Sequence, residues 1–217
     1  MQISRRQFAV LGAVGLGSAA LVPLLSRNQD ALAQAALSPE TGNWAGQLIR
    51  AAESQIGVTV RYDGRYRRIA FPGGDIDRAI GVCSDVVIRA YRDAFGFDLQ
   101  EAVNRDMKKA FSTYPKAWGL SRPDSNIDHR RVLNLEHYFL RREADRPLPE
   151  DPSGYRPGDL VTQRVGSNLP HIAIVAERMS ADGKRPMVVH NIGAGTRMED
   201  TLDVFPAIYR FRFNPTA

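Results

Sequence analysis

The sequence is poor in cysteine, in repeats and in long apolar runs. Its 217 residues contain one cysteine, Cys83, so the chain cannot form an internal disulfide. It has no internal repeat and no low-complexity tract, which excludes a repeat architecture. After the N-terminal region, no segment approaches the roughly 20 apolar residues that a membrane-spanning helix needs. We therefore expect a domain that is held together by its hydrophobic core.

Charge and cofactor motifs are also limited. The formal net charge is +5, and such mild basicity is typical of ordinary solubility, so we expect no nucleic-acid partner. Residues 193–195 read GAG, but they do not introduce a helix, which makes a phosphate-binding loop a poor interpretation and a hairpin turn a better one. We expect a monomer without a cofactor.

The first 33 residues have the pattern of an export signal. Residues 4–8 read SRRQF, residues 9–25 are largely apolar, and residues 31–33 read ALA, a sequence that signal peptidase accepts. The paired arginines indicate a twin-arginine signal peptide, with a retained membrane anchor as the alternative. Residues 34–217 then form a single domain. We expect this domain in the periplasm or otherwise exported, with no membrane span after the signal is removed.

The first half of the exported part has helical periodicity. Helices are predicted at residues 43–56, 83–95, 98–107 and 128–142. Gly96 is suited to end the second helix. Asp98, with Glu101 three residues later, resembles a capping box for the third helix, and Asp128 is suited to cap the fourth.

The second half changes to the period of β-strands. After a short strand at residues 58–62, long strands are predicted at residues 159–165, 171–177, 186–191 and 207–213. An Asp-Gly pair at residues 182–183 is suited to a hairpin loop. Helices followed by strands indicate an α+β domain, in which N-terminal helices pack on a C-terminal antiparallel sheet.

Cys83 is the first candidate for chemistry, because it lies where a loop becomes a helix. The partial positive charge of a helix N-terminus favours a thiolate, so this position predicts a lowered pKa for the Cys83 thiol. A buried cysteine that acts as a small apolar side chain is the alternative. A lone thiol in an oxidising compartment favours the catalytic interpretation.

Two histidines complete the candidate site. His171 begins one predicted strand and His190 ends the next. On neighbouring antiparallel strands the start of one lies beside the end of the other, so we expect the two imidazoles to meet at one edge of the sheet. His171 would then be the general base for Cys83, and His190 would orient His171 and fix its tautomer.

Several motifs resemble the NlpC-like branch of papain-type cell-wall peptidases. They are residues 83–85 (CSD), 155–161 (YRPGDLV), 169–175 (LPHIAIV) and 188–191 (VVHN). In addition, residues 81–91, 126–131 (NIDHRR) and 190–195 (HNIGAG) are similar to the family called domain of unknown function 1287. This second resemblance covers roughly residues 43 to 213.

The resemblance implies a papain-like fold and a Cys83, His171, His190 triad that acts through a thioester acyl-enzyme. By analogy it implies cleavage of an amide in peptidoglycan stem peptides or in another envelope substrate. The NlpC-like pattern has aspartate before the cysteine and serine-glycine after it. Here Val82 precedes Cys83, and Ser84 and Asp85 follow it, which places a carboxylate in the first helical turn.

Weaker candidates surround the triad. Tyr62 is where NlpC-like enzymes place a tyrosine beside the nucleophile, and it would bind an oxyanion together with the Cys83 N–H. An exposed loop tyrosine is the alternative. Oxyanion or substrate binding is also assigned to Ser84, Asp85, Asp128, Arg130 and Asn191. For Asp85, plain helix capping is the favoured interpretation, and for Asp128 and Arg130 it is an ordinary helix start with a salt bridge.

For the other polar groups, the sequence favours ordinary structural roles over roles in catalysis or binding. The run of Arg65, Arg67 and Arg68 is suited to a substrate carboxylate, but it is more typical of a solvated loop. His129 and His137 lie eight residues apart without the spacing of paired metal ligands, so we expect surface or partly buried residues with no catalytic role.

Three classes of function remain open. The first is a cysteine amidase or peptidase, with an acyltransferase as a variant. The second is a zinc site built from the cysteine and two histidines, although no local pair of ligands supports it. The third is a non-catalytic envelope-binding module, which would be favoured if the loop at residues 65–81 blocked the cleft.

Overall fold

The computed structural model describes residues 44–216. The predicted signal peptide, residues 1–33, lies outside the described residues. Four α-helices are α1 (Trp44–Glu53), α2 (Cys83–Phe95), α3 (Leu99–Ala110) and α4 (Val132–Arg141). Short 3₁₀ turns cover Phe111–Thr113, Asp128–Arg130 and Pro152–Gly154. Within the described range, no helix is long and apolar enough to cross a bilayer.

The strands form one small and one large sheet. Strands β1 (Arg61–Tyr62) and β2 (Ile80–Gly81) form a parallel pair. The large sheet contains β3 (Asp145–Arg146), β4 (Leu160–Val165), β5 (Leu169–Met179), β6 (Pro186–His190), β7 (Arg197–Glu199) and β8 (Ala207–Phe211). Its order is β3-β8-β4-β5-β6-β7, and every pairing is antiparallel. The α+β prediction with an antiparallel sheet is therefore confirmed.

The two faces of strand β5 serve different cores. Ile172 and Ile174 belong to the main core, which also contains the buried faces of α1, α2 and α4. Ala173 and Val175 alternate with them and pack in a smaller core on the other face, with Leu202. This alternation is the period of two that a strand imposes, and it holds the N-terminus of β5 against the helices.

Helix α2 has the boundaries that its sequence predicts. The backbone N–H of Val82 donates to Asp85 Oδ2 at 2.7 Å, so the carboxylate in the first turn closes the N-terminus. Gly96 ends the helix with a φ of +63°, a conformation that suits glycine. Val86, Val87 and Tyr91 lie on its buried face. Local chemistry therefore fixes where Cys83 lies in the fold.

The predicted cap of the fourth helix is wrong. Asp128 instead begins a 3₁₀ turn, and α4 starts only after Arg131. The side chain of Asp128 is buried, where it accepts a hydrogen bond from the backbone N–H of Asp124 and lies 3.0 Å from Arg131 Nη1. The carboxylate therefore stabilises the loop around Asp124 and does not cap α4, because both of its partners precede the first residue of that helix.

A buried arginine attaches the loop before α2 to that helix. Arg89 is fully buried, and its Nε lies 3.0 Å from Asp75 Oδ2. Its Nη1 donates to Thr59 Oγ1 at 3.0 Å, and its Nη2 donates to the carbonyl of Ile76 at 3.3 Å. One guanidinium therefore satisfies several acceptors from residues 59–77, the segment that carries β1 to the site.

We expect Arg89→Ala to lower the free energy of unfolding by about 3 kcal/mol, because it leaves Asp75 partly buried without its main partner. Urea denaturation followed by circular dichroism measures the change. Arg105→Ala is the control, since Arg105 pairs with Glu101 at 2.6 Å on the exposed surface of α3 and should contribute less than about 1 kcal/mol. Equal effects of the two substitutions would contradict the role of Arg89.

Candidate active site

The thiol of Cys83 lies between a helix N-terminus and a strand. Cys83 is the first residue of α2, and only 5% of its surface is exposed. The backbone N–H of Ile172, near the start of β5, lies close enough to the sulfur to favour the thiolate. Because Ile172 follows His171 directly, this contact brings the thiol to the strand that carries the predicted general base.

Burial changes the protonation that the sequence predicts. It raises the pKa of the Cys83 thiol to about 11, and the nearby charge of Asp85 raises it further, while the N–H groups of Ile172, Ser84 and Cys83 act in the opposite direction. The prediction of a lowered pKa is therefore wrong. The helix N-terminus is present, but desolvation outweighs it. At neutral pH the resting group is a thiol.

Three side chains form a hydrogen-bonded chain on the sheet. His171 Nε2 lies 2.9 Å from His190 Nδ1, and His190 Nε2 lies 2.9 Å from Glu199 Oε2. In the register of β6 and β7, His190 is opposite Arg197 and Val188 is opposite Glu199. His190 and Glu199 are thus diagonal neighbours on one face of the sheet.

Both imidazoles are buried and neutral at rest. Burial lowers the pKa of His171 to about 3, and the neighbouring His190 lowers it further. Burial also lowers the pKa of His190, against the opposing effect of Glu199. Since Nε2 of His171 is engaged by His190, Nδ1 is the ring nitrogen of His171 that takes no part in this chain.

Within residues 44–216, no direct hydrogen bond joins the thiol to the His171 ring. Catalytic hydrogen bonds are often long in unliganded enzymes and shorten when substrate binds. The thiol–imidazole pair predicted from the sequence therefore stays a prediction.

A cleft of about 410 Å³ runs past the thiol. Its lining is Tyr62, Gly64, Tyr66, Val82, Cys83, Trp118, Ile127, Arg130, Arg131, Val132, Leu133 and Pro170. The loop at residues 65–81 contributes Tyr66 to the wall and leaves the cleft open. On the opposite wall the Arg131 guanidinium lies 4.1 Å from the centre of the Trp118 ring. Aromatic rings and cationic groups therefore flank the nucleophile candidate.

Tyr62 is positioned to donate a hydrogen bond in this cleft. It lies on β1 and lines the cleft together with Cys83. Partial burial raises the pKa of its phenol to about 12, and the charges of Cys83 and Asp85 contribute in the same direction. The phenol stays protonated at neutral pH and is a donor for an oxyanion.

Asp85 and Arg130 form a buried ion pair under the cleft. Arg130 Nε and Nη2 lie 2.8 Å from Asp85 Oδ1 and Oδ2, respectively. The same guanidinium donates to the backbone carbonyls of Asp63 at 3.3 Å and Arg65 at 3.5 Å. Asp85 therefore caps α2 and also holds the loop that forms one cleft wall.

The remaining weak candidates support the site from the interior. The Ser84 hydroxyl donates to the carbonyl of Arg130 at 2.6 Å. Asn191 Nδ2 donates to the carbonyl of Gly81 at 3.0 Å, and both side chains are buried. Asp128 closes its own loop, as described above. These contacts position backbone around Cys83, and none of the three residues lines the cleft.

Arg65, Arg67 and His137 have partners within the fold. Arg65 and Arg67 both bind Asp63, at 2.7 and 3.0 Å, and their pairing favours a structural role over a grip on substrate. His137 is partly buried and lies 2.9 Å from Thr113 Oγ1. His129 is almost fully buried, contrary to the expected surface or partly buried position, because its 3₁₀ turn packs against α2 and α3.

In the part of the chain that the structure describes, no group of three or more His, Cys, Asp or Glu side chains is arranged to hold a metal ion.

Sequence reasoning did not identify Glu199. The GAG turn was a usable signal, since a hairpin after His190 brings a short returning strand beside it.

Comparison with known proteins covers most of the described chain. A model of the family described as domain of unknown function (DUF1287) matches residues 49–213. Uncharacterized protein YijF of Escherichia coli (strain K12) is 48% identical over 162 residues, which are 75% of this chain and 78% of YijF. The matched range contains Cys83, His171, His190 and Glu199, so the candidate site lies inside the family domain. The chain belongs to the DUF1287 family.

Proposed function

We propose that this protein is an exported cysteine hydrolase that cleaves an amide bond in peptidoglycan stem peptides. One observation carries the proposal: a thiol at a helix N-terminus borders an open cleft and lies close to strand β5, whose His171 is 2.9 Å from His190 on the neighbouring strand β6. A nucleophile, a base and a group that orients the base are the parts of a hydrolytic triad.

The proposed fold type is papain-like and NlpC-like. The order of the parts supports it, since the cysteine begins a helix and the two histidines follow on neighbouring strands of an antiparallel sheet. The substrate is proposed by analogy with that branch of cell-wall peptidases. Export through the predicted twin-arginine signal would bring the enzyme to such a substrate in the periplasm.

The first step transfers one proton and forms one bond. The Cys83 S–H proton moves to His171 Nδ1 as the sulfur attacks the carbonyl carbon of the amide. The resulting oxyanion is placed near the Tyr62 hydroxyl and the Cys83 backbone N–H, which has no partner within its own helix at this first position. Because the resting pair is neutral, proton transfer accompanies the attack and does not precede it.

The next steps release the two products. The C–N bond breaks as His171 returns the proton to the leaving amine, and a thioester to Cys83 remains. A water molecule then attacks the thioester while His171 takes its proton. Collapse of that intermediate releases a carboxylic acid and regenerates the thiol.

We expect Cys83→Ala to abolish cleavage without loss of the fold, because it removes the nucleophile and changes only a small buried volume. His171→Ala should reduce cleavage by at least about 10³-fold. Mass spectrometry of muropeptides released from purified sacculi measures both. His137→Ala, which removes a histidine far from the cleft, is the matched control. A folded Cys83→Ala protein that retains activity would contradict the thiol mechanism. Wild-type protein that binds sacculi without cleaving them would favour an envelope-binding module.

We expect Tyr62→Phe to lower kcat by about 10²-fold with little change in KM, because the lost hydroxyl acts on the transition state and not on bound substrate. Initial rates in the same muropeptide assay, measured at several substrate concentrations, provide both constants. Tyr209→Phe, on strand β8 of the large sheet, is the control for loss of a tyrosine hydroxyl. A change confined to KM would assign Tyr62 to substrate binding.

The pKa of Cys83 has a direct kinetic consequence. Because burial raises the pKa of the Cys83 thiol to about 11, we expect its alkylation by iodoacetamide to accelerate about tenfold per pH unit from about pH 6 to 9, since only the thiolate reacts. Alkylation rates are measured by intact-protein mass spectrometry. A rate that is constant across this range would reveal a resting thiolate–imidazolium pair and contradict the neutral pair.

A further inference from the structure

We propose that Glu199 is a positioning residue that sets the direction of both histidine tautomers and so leaves the lone pair of His171 Nδ1 free to accept the Cys83 proton. This proposal rests on the proposed function for its catalytic meaning. Its structural basis is the unbroken chain from Glu199 Oε2 through His190 to His171, in which both links measure 2.9 Å.

The carboxylate fixes the first proton of the chain. An ionised carboxylate has only acceptors, so His190 Nε2 must carry the hydrogen that it shares with Glu199. A neutral imidazole has one N–H, which leaves His190 Nδ1 as an acceptor. The His171 Nε2 opposite must then donate, and His171 Nδ1 has no hydrogen. The charge of the carboxylate therefore determines which nitrogen donates in both hydrogen bonds of the chain.

Two histidines alone do not determine this direction. If His190 Nδ1 carried the hydrogen, it would donate to His171 Nε2, and His171 would hold its own hydrogen on Nδ1. That arrangement satisfies the histidine pair equally well but offers Cys83 a donor where a base is needed. A group outside the pair has to choose between the two forms, and Glu199 is the side chain bonded to the far end.

The position of Glu199 suits this role. The side chain of His190 is fully buried, so its Nε2 needs a protein partner, while Glu199 keeps a third of its side chain exposed. The carboxylate therefore reaches a buried ring while part of it remains in contact with solvent. After proton transfer to His171, the same charge stabilises the imidazolium through His190.

The experiment compares wild type, Glu199→Gln, Glu199→Asp and Glu177→Gln in ¹⁵N-labelled protein. The chain has four histidines, and imidazole ¹⁵N shifts report which ring nitrogen carries the hydrogen. We expect the Nε2–H tautomer for His171 and His190 in wild type. A glutamine amide both donates and accepts, so Glu199→Gln should add an Nδ1–H form of His171. Glu199→Asp should restore the wild-type form, at least in part.

Glu177→Gln is the matched control, because it removes one carboxylate from an exposed position on β5 and should leave both tautomers unchanged. An Nδ1–H tautomer of His171 in wild type would overturn the proposal, as would unchanged spectra in folded Glu199→Gln. The spectra need no substrate, so they decide this point even if the protein proves not to be a hydrolase.

Kinetics add the catalytic consequence. Where muropeptide release is measurable, Glu199→Gln should lower kcat by about 10²- to 10⁴-fold, the range expected for loss of orientation or of the correct tautomer. Glu199→Asp should recover part of this loss, and Glu177→Gln should show none. A kcat for Glu199→Gln within about twofold of wild type would contradict a positioning role in catalysis.

Discussion

The buried ion pair between Asp85 and Arg130 is the contact on which the candidate site depends. Asp85 closes the N-terminus of α2 through the Val82 N–H, and Arg130 reaches from the 3₁₀ turn before α4 to the carbonyls around residue 63. Three separate segments therefore meet at one pair of charges below Cys83. Such a pair contributes little net stability, but its fixed geometry determines where the helix start lies relative to the cleft.

Burial is the second constraint, and it explains how a single unpaired thiol would resist oxidation in an exported protein. A thiol in an oxidising compartment is at risk mainly as the thiolate. Cys83 is almost fully buried, and its raised pKa keeps it protonated at rest. If the protein is exported as we propose, the same desolvation that makes the nucleophile weak also protects it. In the mechanism that we propose, activation then comes from a base that is already in the correct tautomer when substrate binds.

The sequence predicts what depends on neighbours along the chain and misses what depends on tertiary packing. The ends of α2 follow from Asp85 and Gly96, and both are local signals. The pKa of Cys83 was predicted in the wrong direction, because its burial depends on a strand that lies about 90 residues further on. Glu199 was missed for a similar reason: β7 has three residues, too few to show a strand period.

The departure from the NlpC-like pattern around Cys83 has a structural explanation. In the first turn of α2, Asp85 stabilises the helix end but also raises the pKa of the thiol, so it opposes an early thiolate. Because Asp85 disfavours the thiolate, the proposed mechanism needs a base whose acceptor nitrogen, His171 Nδ1, carries no hydrogen before substrate binds. The second carboxylate, Glu199, lies at the far end of the histidine chain, where its charge favours proton uptake by the imidazoles. In the mechanism that we propose, the two carboxylates therefore have opposite effects on the proton transfer: Asp85 holds the proton on sulfur at rest, and Glu199 prepares the imidazole that accepts it during attack.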